Sequence, residues 1–351
     1  MTWTITQVTR KGLTPWGESF QVTPPGGFFL VLMGTQIMAL ARVFPARTRA
    51  TPTDELAFVG PPDMFVRELD ITRVNVSVTF TWQKNAAERL AKQWEAIAPV
   101  QVGGVAYGQV GDDFTPGKYV RDGYIFTSRG CPRKCFFCKV WHTHPTPILF
   151  PIVDGWNIMD DNLLACPRQH VENVFGMLRR QQRRIEFTGG LEARALEDYQ
   201  VGLLADLRPR PNMFWAYDPG DAFETLQSAA SRLLAAGFTA NSHRLNCYVL
   251  IGYPRDTFSA AEQRLRSMLS LGFTPRAMLW RPDDKPSQER YDPGKDWKQF
   301  QRRWFRPAII HAKNICSQPM LADPSDTDGA RLLERSECRG PRTVTGAPVR
   351  P

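Results

Sequence analysis

YIFTSRGCPRKCFFCKVW (124–141) opens on a short aromatic and β-branched run and passes straight into three cysteines, Cys131, Cys135 and Cys138. Its first four residues, YIFT (124–127), read as a strand. Downstream the chain repeats a strand-then-helix pattern. WNIM (156–159), IEFT (185–188), MFWAY (213–217), LNCYVLIGY (245–253) and RAMLW (276–280) are candidate strands. Between them Val171, Val174, Phe175 and Leu178 share one helical face; 196–207, 222–236 and 259–271 behave alike, the last two closed by Gly237 and Gly272. Strand–helix units with chemistry at the strand ends predict an α/β fold, a partial (β/α)6 barrel over residues 111–316. Six units are too few for a closed eight-fold barrel.

Upstream, GFFLVLM (27–33) reads as a buried strand and 44–63, rich in Pro, Thr and Arg, as loop. VNVSVTFTW (74–82) is strand-like. Ala87, Leu90, Ala91, Trp94 and Ile97 form one helical face, and PVQVGG (99–104) is a second strand. This β-α-β unit predicts a small Rossmann-like α/β domain over residues 1–110. From 317 to 351 the chain is Ser-, Pro-, Asp- and Arg-rich without apolar period, which predicts a disordered tail.

The longest apolar stretch, FFLVLMGTQIMAL (28–40), contains Gln36 and is shorter than the ~18 residues of a membrane span. MTWTITQVTR has no charged segment followed by an apolar one, so a cytoplasmic protein without membrane contact is expected. Lys and Arg total 44 against 35 Asp and Glu, a net charge of +9, which leaves nucleic acid open as a partner. The basic residues are scattered, and the one bunch, Arg179, Arg180, Arg183 and Arg184, reads as a solvated helix end.

There are seven cysteines, an odd number. Cys166, Cys247, Cys316 and Cys338 stand alone and read as core or tail residues. This is the pattern of a reducing compartment with one local metal site, not of a disulfide framework. Three thiolates on one compact loop suit a single ion or a cluster. A cubane iron–sulfur cluster normally takes four thiolates; with three, one iron stays open to another ligand. The competing reading is a structural Cys₃His zinc completed by His142. His144 then reads as a polar loop residue.

The C-x-x-x-C-x-x-C spacing, Phe137 just before the third cysteine, and the loop's place after the first strand resemble the radical S-adenosylmethionine (radical SAM) superfamily. The resemblance covers roughly residues 74–285. It implies a [4Fe-4S] cluster on Cys131, Cys135 and Cys138 whose open iron chelates S-adenosylmethionine. Reductive cleavage would then give methionine and a 5′-deoxyadenosyl radical that abstracts hydrogen from a substrate. It further implies an electron donor of flavodoxin or ferredoxin type. IMDDNLLA (158–165), with Asp160, Asp161 and Asn162, is similar to the Asp-Asp pair that cobalamin-type members carry after their second strand, where it binds the ammonium group.

Glu192 and Arg194 fall one strand later, in IEFTGGLEAR (185–194), with Gly189 and Gly190 beside them. Adjacent glycines let a ligand approach the backbone. A carboxylate can pair with an ammonium and a guanidinium with a carboxylate. The superfamily's Gly-Gly-Glu motif is interrupted here by Leu191. IGYPRDT (251–257) resembles the late Gly-x-Pro-Gly-Glu/Asp-Thr stretch, which implies adenine near Ile251 and Gly252. Asp218 stands at another strand end. The plainer reading of these segments is turns and caps, with Asp161, Asn162, Asp256 or Thr257 capping helices. The helix expected between the first two strands looks short or missing, because Pro145, Pro147 and Pro151 crowd the 22 positions from Cys138 to Asp160.

The N-terminal unit is similar to a degenerate cobalamin-binding domain. It lacks the Asp-x-His-x-x-Gly motif and has no histidine before His142, so no cobalamin is expected. The function implied is a radical SAM enzyme. Two other classes compete: a non-catalytic iron–sulfur electron-transfer protein, which a fully ligated cluster would serve better, and a zinc-dependent nucleic-acid-binding protein, which should interleave aromatic and basic residues on one face.

Overall fold

The structure is a computed structural model that describes residues 20–22, 30–32, 39–109, 114–240, 242–281, 294–305 and 310. The expected tail (317–351) and most of GFFLVLM lie outside these residues, as do Cys316 and Cys338. The chain divides into two compact units, one within residues 1–49 and 53–109, the other within 50–52 and 110–351. Among the described residues no helix is long and apolar enough to cross a membrane.

In the first unit, β1 (Phe20–Val22) and β2 (Leu30–Leu32) pair antiparallel. A separate parallel sheet is built from β3 (Ala39–Phe44), β4 (Ala57–Val59), β5 (Ile71–Ser77) and, after helix α1 (Lys84–Trp94), β6 (Val100–Gly103), in the order β4-β3-β5-β6. Helix α1 buries Ala87, Leu90, Ala91 and Trp94, and these pack with Val74, Val76 and Val78. Two expectations are corrected. Residues 44–63 are not all loop, since β4 pairs with β3 and Arg42 of β3 is buried in an ion pair with Asp54. The strand expected over 74–82 runs instead over 71–77. Its partner β6 ends at Gly103, where Gly104 (φ +111°) turns the chain away, and Thr81–Gln83 coil into a short 3-10 turn that leads into α1.

The second unit holds β7 (Tyr124–Ile125), β8 (Ser128–Arg129), helix α2 (Val140–Thr143), β9 (Ile148–Leu149), β10 (Asn157–Ile158), α3 (Arg168–Leu178), β11 (Glu186–Leu191), α4 (Asp198–Asp206), β12 (Asn212–Tyr217), α5 (Phe223–Ala235), β13 (Leu245–Ile251), α6 (Phe258–Ser270), β14 (Thr274–Leu279) and α7 (Gly294–Phe305). Six strands form one sheet in the order β7-β10-β11-β12-β13-β14, every neighbouring pair parallel. Helices α3 to α6 connect successive strands from β10 to β14. Sequence neighbours are therefore sheet neighbours, and all six carboxyl ends face the same way. The link from β7 to β10 differs. Its only helix is the four-residue α2, and it carries a small antiparallel pair, β8 with β9.

Local signals explain the helix limits. A reciprocal Glu197–Gln200 capping box starts α4, and the Thr257 hydroxyl accepts from the Ala260 N–H to start α6. Gly237 and Gly272, both at φ +86°, follow the C-cap residues Ala236 and Leu271 of α5 and α6. Val171, Val174, Phe175 and Leu178 of α3 are buried in one core with Phe187, Met213, Trp215 and Cys247 of the sheet, and Phe175 stacks on Phe187.

Candidate functional site

The cysteine loop leaves β7 and is anchored at both ends. The Cys131 N–H donates to the His144 carbonyl at 3.0 Å, and the Cys138 N–H to the Cys135 carbonyl at 3.2 Å. Trp141 Nε1 donates to the Cys135 carbonyl (3.0 Å) and its ring stacks on His142. Gly130 must be glycine. Its φ is +107°, and a Cβ there would lie 2.5 Å from the Thr146 carbonyl and 3.0 Å from that of His144.

Past Met159, which follows β10, three consecutive residues grip the root of this loop in order. Asp160 is buried; its Oδ1 accepts from the Thr127 N–H (2.6 Å) and its Oδ2 from the hydroxyls of Thr127 (2.6 Å) and Ser128 (2.7 Å). Asp161 accepts from the Gly130 N–H at 2.8 Å and pairs with Arg129 at 3.3 Å. The Asn162 amide donates to the Cys131 sulfur at 3.3 Å. The Asn162 side chain makes no capping hydrogen bond, and the Asp161 carboxylate is turned to Gly130 and Arg129, so the cap reading fails for Asn162.

Strand β11 is irregular through Gly189-Gly190. A Cβ on Gly189 would collide with the backbone of Met159 and Asp160, so this glycine lets two strand ends approach. Gly190, at φ +102°, has open space where a Cβ would stand. Glu192 accepts from the Arg194 N–H as the cap of a short turn, and it also accepts from the Arg133 guanidinium at 3.2 Å. Arg133, inside the cysteine spacing, reaches Asp221 beyond β12 at 2.6 Å. Arg194 meets the same Asp221 oxygen at 3.2 Å and the Gly220 carbonyl at 3.3 Å. Phe136, 61% exposed, packs edge-on against Tyr253 beyond β13 and against Phe137, which is half-buried.

Gly252 stands just after β13 at φ +68°. Its N–H donates to Asp256 (2.8 Å), whose carboxylate also holds Arg264, while the Ile251 carbonyl accepts from the Trp280 N–H. The Gly252 N–H and the Ile251 carbonyl, two of the backbone groups near the expected adenine position, are thus already paired.

Burial sets the electrostatics. It pushes the Cys138 thiol up to about 11, with a backbone hydrogen bond at Val140 pulling back and the neighbouring Cys135 and Cys131 thiols adding to the rise. Burial also raises Cys135, against the pull of Arg133. For Arg133 burial opposes the charge, but Asp221 and Glu192 hold the guanidinium above its ordinary value. Asp218, at the end of β12, is pushed up to about 7 by burial and the charge of Asp221, with the Leu250 N–H pulling back. Burial moves Asp160 to about 6 against its hydrogen bonds to Thr127 and Ser128.

Cys131, Cys135 and Cys138 are half-exposed free thiols, and Cys166 and Cys247 are buried ones. Among the described residues no three His, Cys, Asp or Glu side chains are arranged to hold one metal ion. A cubane spreads its thiolates over separate irons and does not require them to converge on a point. The donors present fit such a group. Three soft sulfurs sit on one loop, an amide N–H points at one of them, and the positive charge of Arg133 favours a thiolate at Cys135. Sequence reading missed Arg133, Asp221, Thr127 and Ser128. Arg133 had a signal in its position between two cysteines; the others are ordinary residues until the strands assemble.

No protein-family model, curated protein or solved structure matches the chain.

Proposed function

We propose that this protein is a radical SAM enzyme and that its six parallel strands are the open (β/α)6 barrel of that class. One observation carries the reading: the cysteine loop springs from β7, and residues beyond β10, β11, β12 and β13 all contact it, through Asn162, Glu192, Asp221 and Tyr253. Ligands of parallel α/β sheets bind at the carboxyl ends of the strands. Here those ends surround three thiols with charged and hydrogen-bonding groups.

In this reading Cys131, Cys135 and Cys138 hold a [4Fe-4S] cluster with one iron open. Such a cluster, given one electron by a flavodoxin- or ferredoxin-type donor, would supply the reductive cleavage of S-adenosylmethionine to methionine and a 5′-deoxyadenosyl radical able to abstract hydrogen from a substrate. The protein's part is binding and orientation. Glu192 and Asp221 hold Arg133 beside Cys135, and Arg194 lies against Asp221. These groups can recognise an ammonium and a carboxylate, and the open side of Gly190 leaves the backbone accessible. Asp160, with both oxygens engaged, supports the loop from beneath. Asp218 titrates near neutrality and can hold or give a proton at the strand ends.

Anaerobic reconstitution should yield about four irons per chain. Replacing Cys131, Cys135 and Cys138 with Ala should abolish uptake, whereas Cys247→Ala should leave it intact. The dithionite-reduced protein should release 5′-deoxyadenosine. Glu192→Ala, losing a charge-assisted bond of about 1.5–3 kcal/mol, should weaken cosubstrate binding by roughly one to two orders of magnitude at constant iron content. Stoichiometric zinc without iron uptake would sink the proposal; a loaded cluster without cleavage would point to an electron carrier.

A further inference from the structure

Asn162 is 2% exposed, yet its side chain makes one polar contact only, Nδ2 to the Cys131 sulfur at 3.3 Å. Its Oδ1 is buried without a partner. It precedes the short turn Leu163–Ala165 but gives it no side-chain cap. A buried amide with its acceptor unmet is worse for stability than an apolar side chain of the same shape. Neither packing nor capping therefore explains an asparagine here. The two residues before it fix where it stands, because Asp160 is tied to Thr127 and Ser128, and Asp161 to Gly130 and Arg129. With those anchors made, the third residue in line meets Cys131.

We infer that Asn162 is a positioning residue that donates a hydrogen bond to the iron-bound sulfur of Cys131 and thereby raises the reduction potential of the cluster. The inference rests on the proposed iron–sulfur cluster. A thiolate bound to iron carries no proton and can only accept, so the amide N–H group faces it; the carbonyl oxygen would set lone pairs against a negative sulfur. Reduction adds one electron, supplied by the external donor, and makes no new bond. The extra negative charge spreads onto the sulfurs, so the N–H dipole stabilises the reduced cluster more than the oxidised one. Hydrogen bonds to cluster sulfurs and outer-shell partners are established levers on such potentials.

The test is a redox titration of the anaerobically reconstituted full chain, monitored by electron paramagnetic resonance. Asn162→Leu keeps the γ-branched skeleton and removes the donor. Its iron content should equal that of the wild type, while reduction becomes about tenfold less favourable, a shift of about 59 mV to lower potential for one electron. A purely structural role would change iron content or stability and leave the potential in place. Should the variant fail to load, wild-type protein labelled with ¹⁵N on asparagine side chains gives a second readout: hyperfine coupling of that nitrogen to the spin of the reduced cluster. A loaded Asn162→Leu protein with the wild-type potential overturns the inference and leaves the cluster reading standing, as does the absence of ¹⁵N coupling. A wild-type chain that takes up no iron overturns both.

Discussion

Both units of the chain are built on parallel strands, and they diverge at the carboxyl ends of those strands. In the six-stranded sheet the carboxyl ends lead into Asp160-Asp161-Asn162, Glu192 and Asp221, each hydrogen-bonded to the cysteine loop. In the four-stranded sheet the segments after β4, β5 and β6 present Met64, Phe65, Phe80, Trp82 and Val105 to solvent, with Phe80 and Trp82 stacked on each other. The backbone plan is shared, whereas the chemistry belongs to the side chains grafted on the strand ends. The difference also concerns stiffness. Polar groups that are nearly all paired fix one geometry at the first site; exposed apolar side chains fix none.

Glycine substitutions should separate the two regions most strongly. Gly130→Ala meets both a positive φ and two backbone carbonyls, so we expect a loss of about 2–4 kcal/mol in urea unfolding together with failure of iron uptake. Gly108→Ala in the first unit, at φ +73° with open space, should cost only about 1–2 kcal/mol and leave iron uptake untouched. Equal losses would erase the contrast.

A smaller effect concerns pH. Asp160 titrates at about 6 in the folded chain against an ordinary value of 3.8, because it is buried. The folded state then binds more protons than the unfolded one between these values, so this group's contribution to stability falls as pH rises from 4 to 6 and is flat above. The fall is at most about 3 kcal/mol. Asp160→Asn lacks it, so the penalty of that substitution should be largest near pH 4 and shrink towards pH 7. A penalty that grows with pH would mean that the bonds from Thr127 and Ser128 outweigh burial.

The smallest effect is expected in the first unit. Trp82→Ala removes a half-exposed ring and should move unfolding free energy by no more than about 0.5 kcal/mol, with iron content unchanged. A large loss would show that the exposed aromatics are structural.

The strands and helices of the second unit were legible because its sheet is covered on sequence-local terms. Apolar runs such as MFWAY and LNCYVLIGY became β12 and β13, and 222–236 and 259–271 became α5 and α6 to within a residue. Strand β3 was hidden because Arg42 interrupts its apolar run, and the ion pair that compensates this buried arginine comes from Asp54, 12 residues away. The cysteines were legible by spacing alone. The support of the loop was not. Thr127, Ser128 and Asp221 carry no local signal, and Asn162, read as a ligand residue or a cap, turned out to touch a cysteine 31 residues away.

Those separations bear on the order in which the molecule comes together. Asp160 reaches Thr127 across 33 residues, Arg133 reaches Glu192 across 59 and Asp221 across 88. Closing such loops costs entropy before any contact repays it, and contacts distant in sequence form late. The cysteine loop has little of its own to hold its shape: one four-residue helix and a pair of two-residue strands. Its geometry is therefore a late product of folding, reached once β10 to β12 are aligned. A peptide spanning 124–149 should not reproduce it, and a nascent chain acquires it only after Asp221 has emerged.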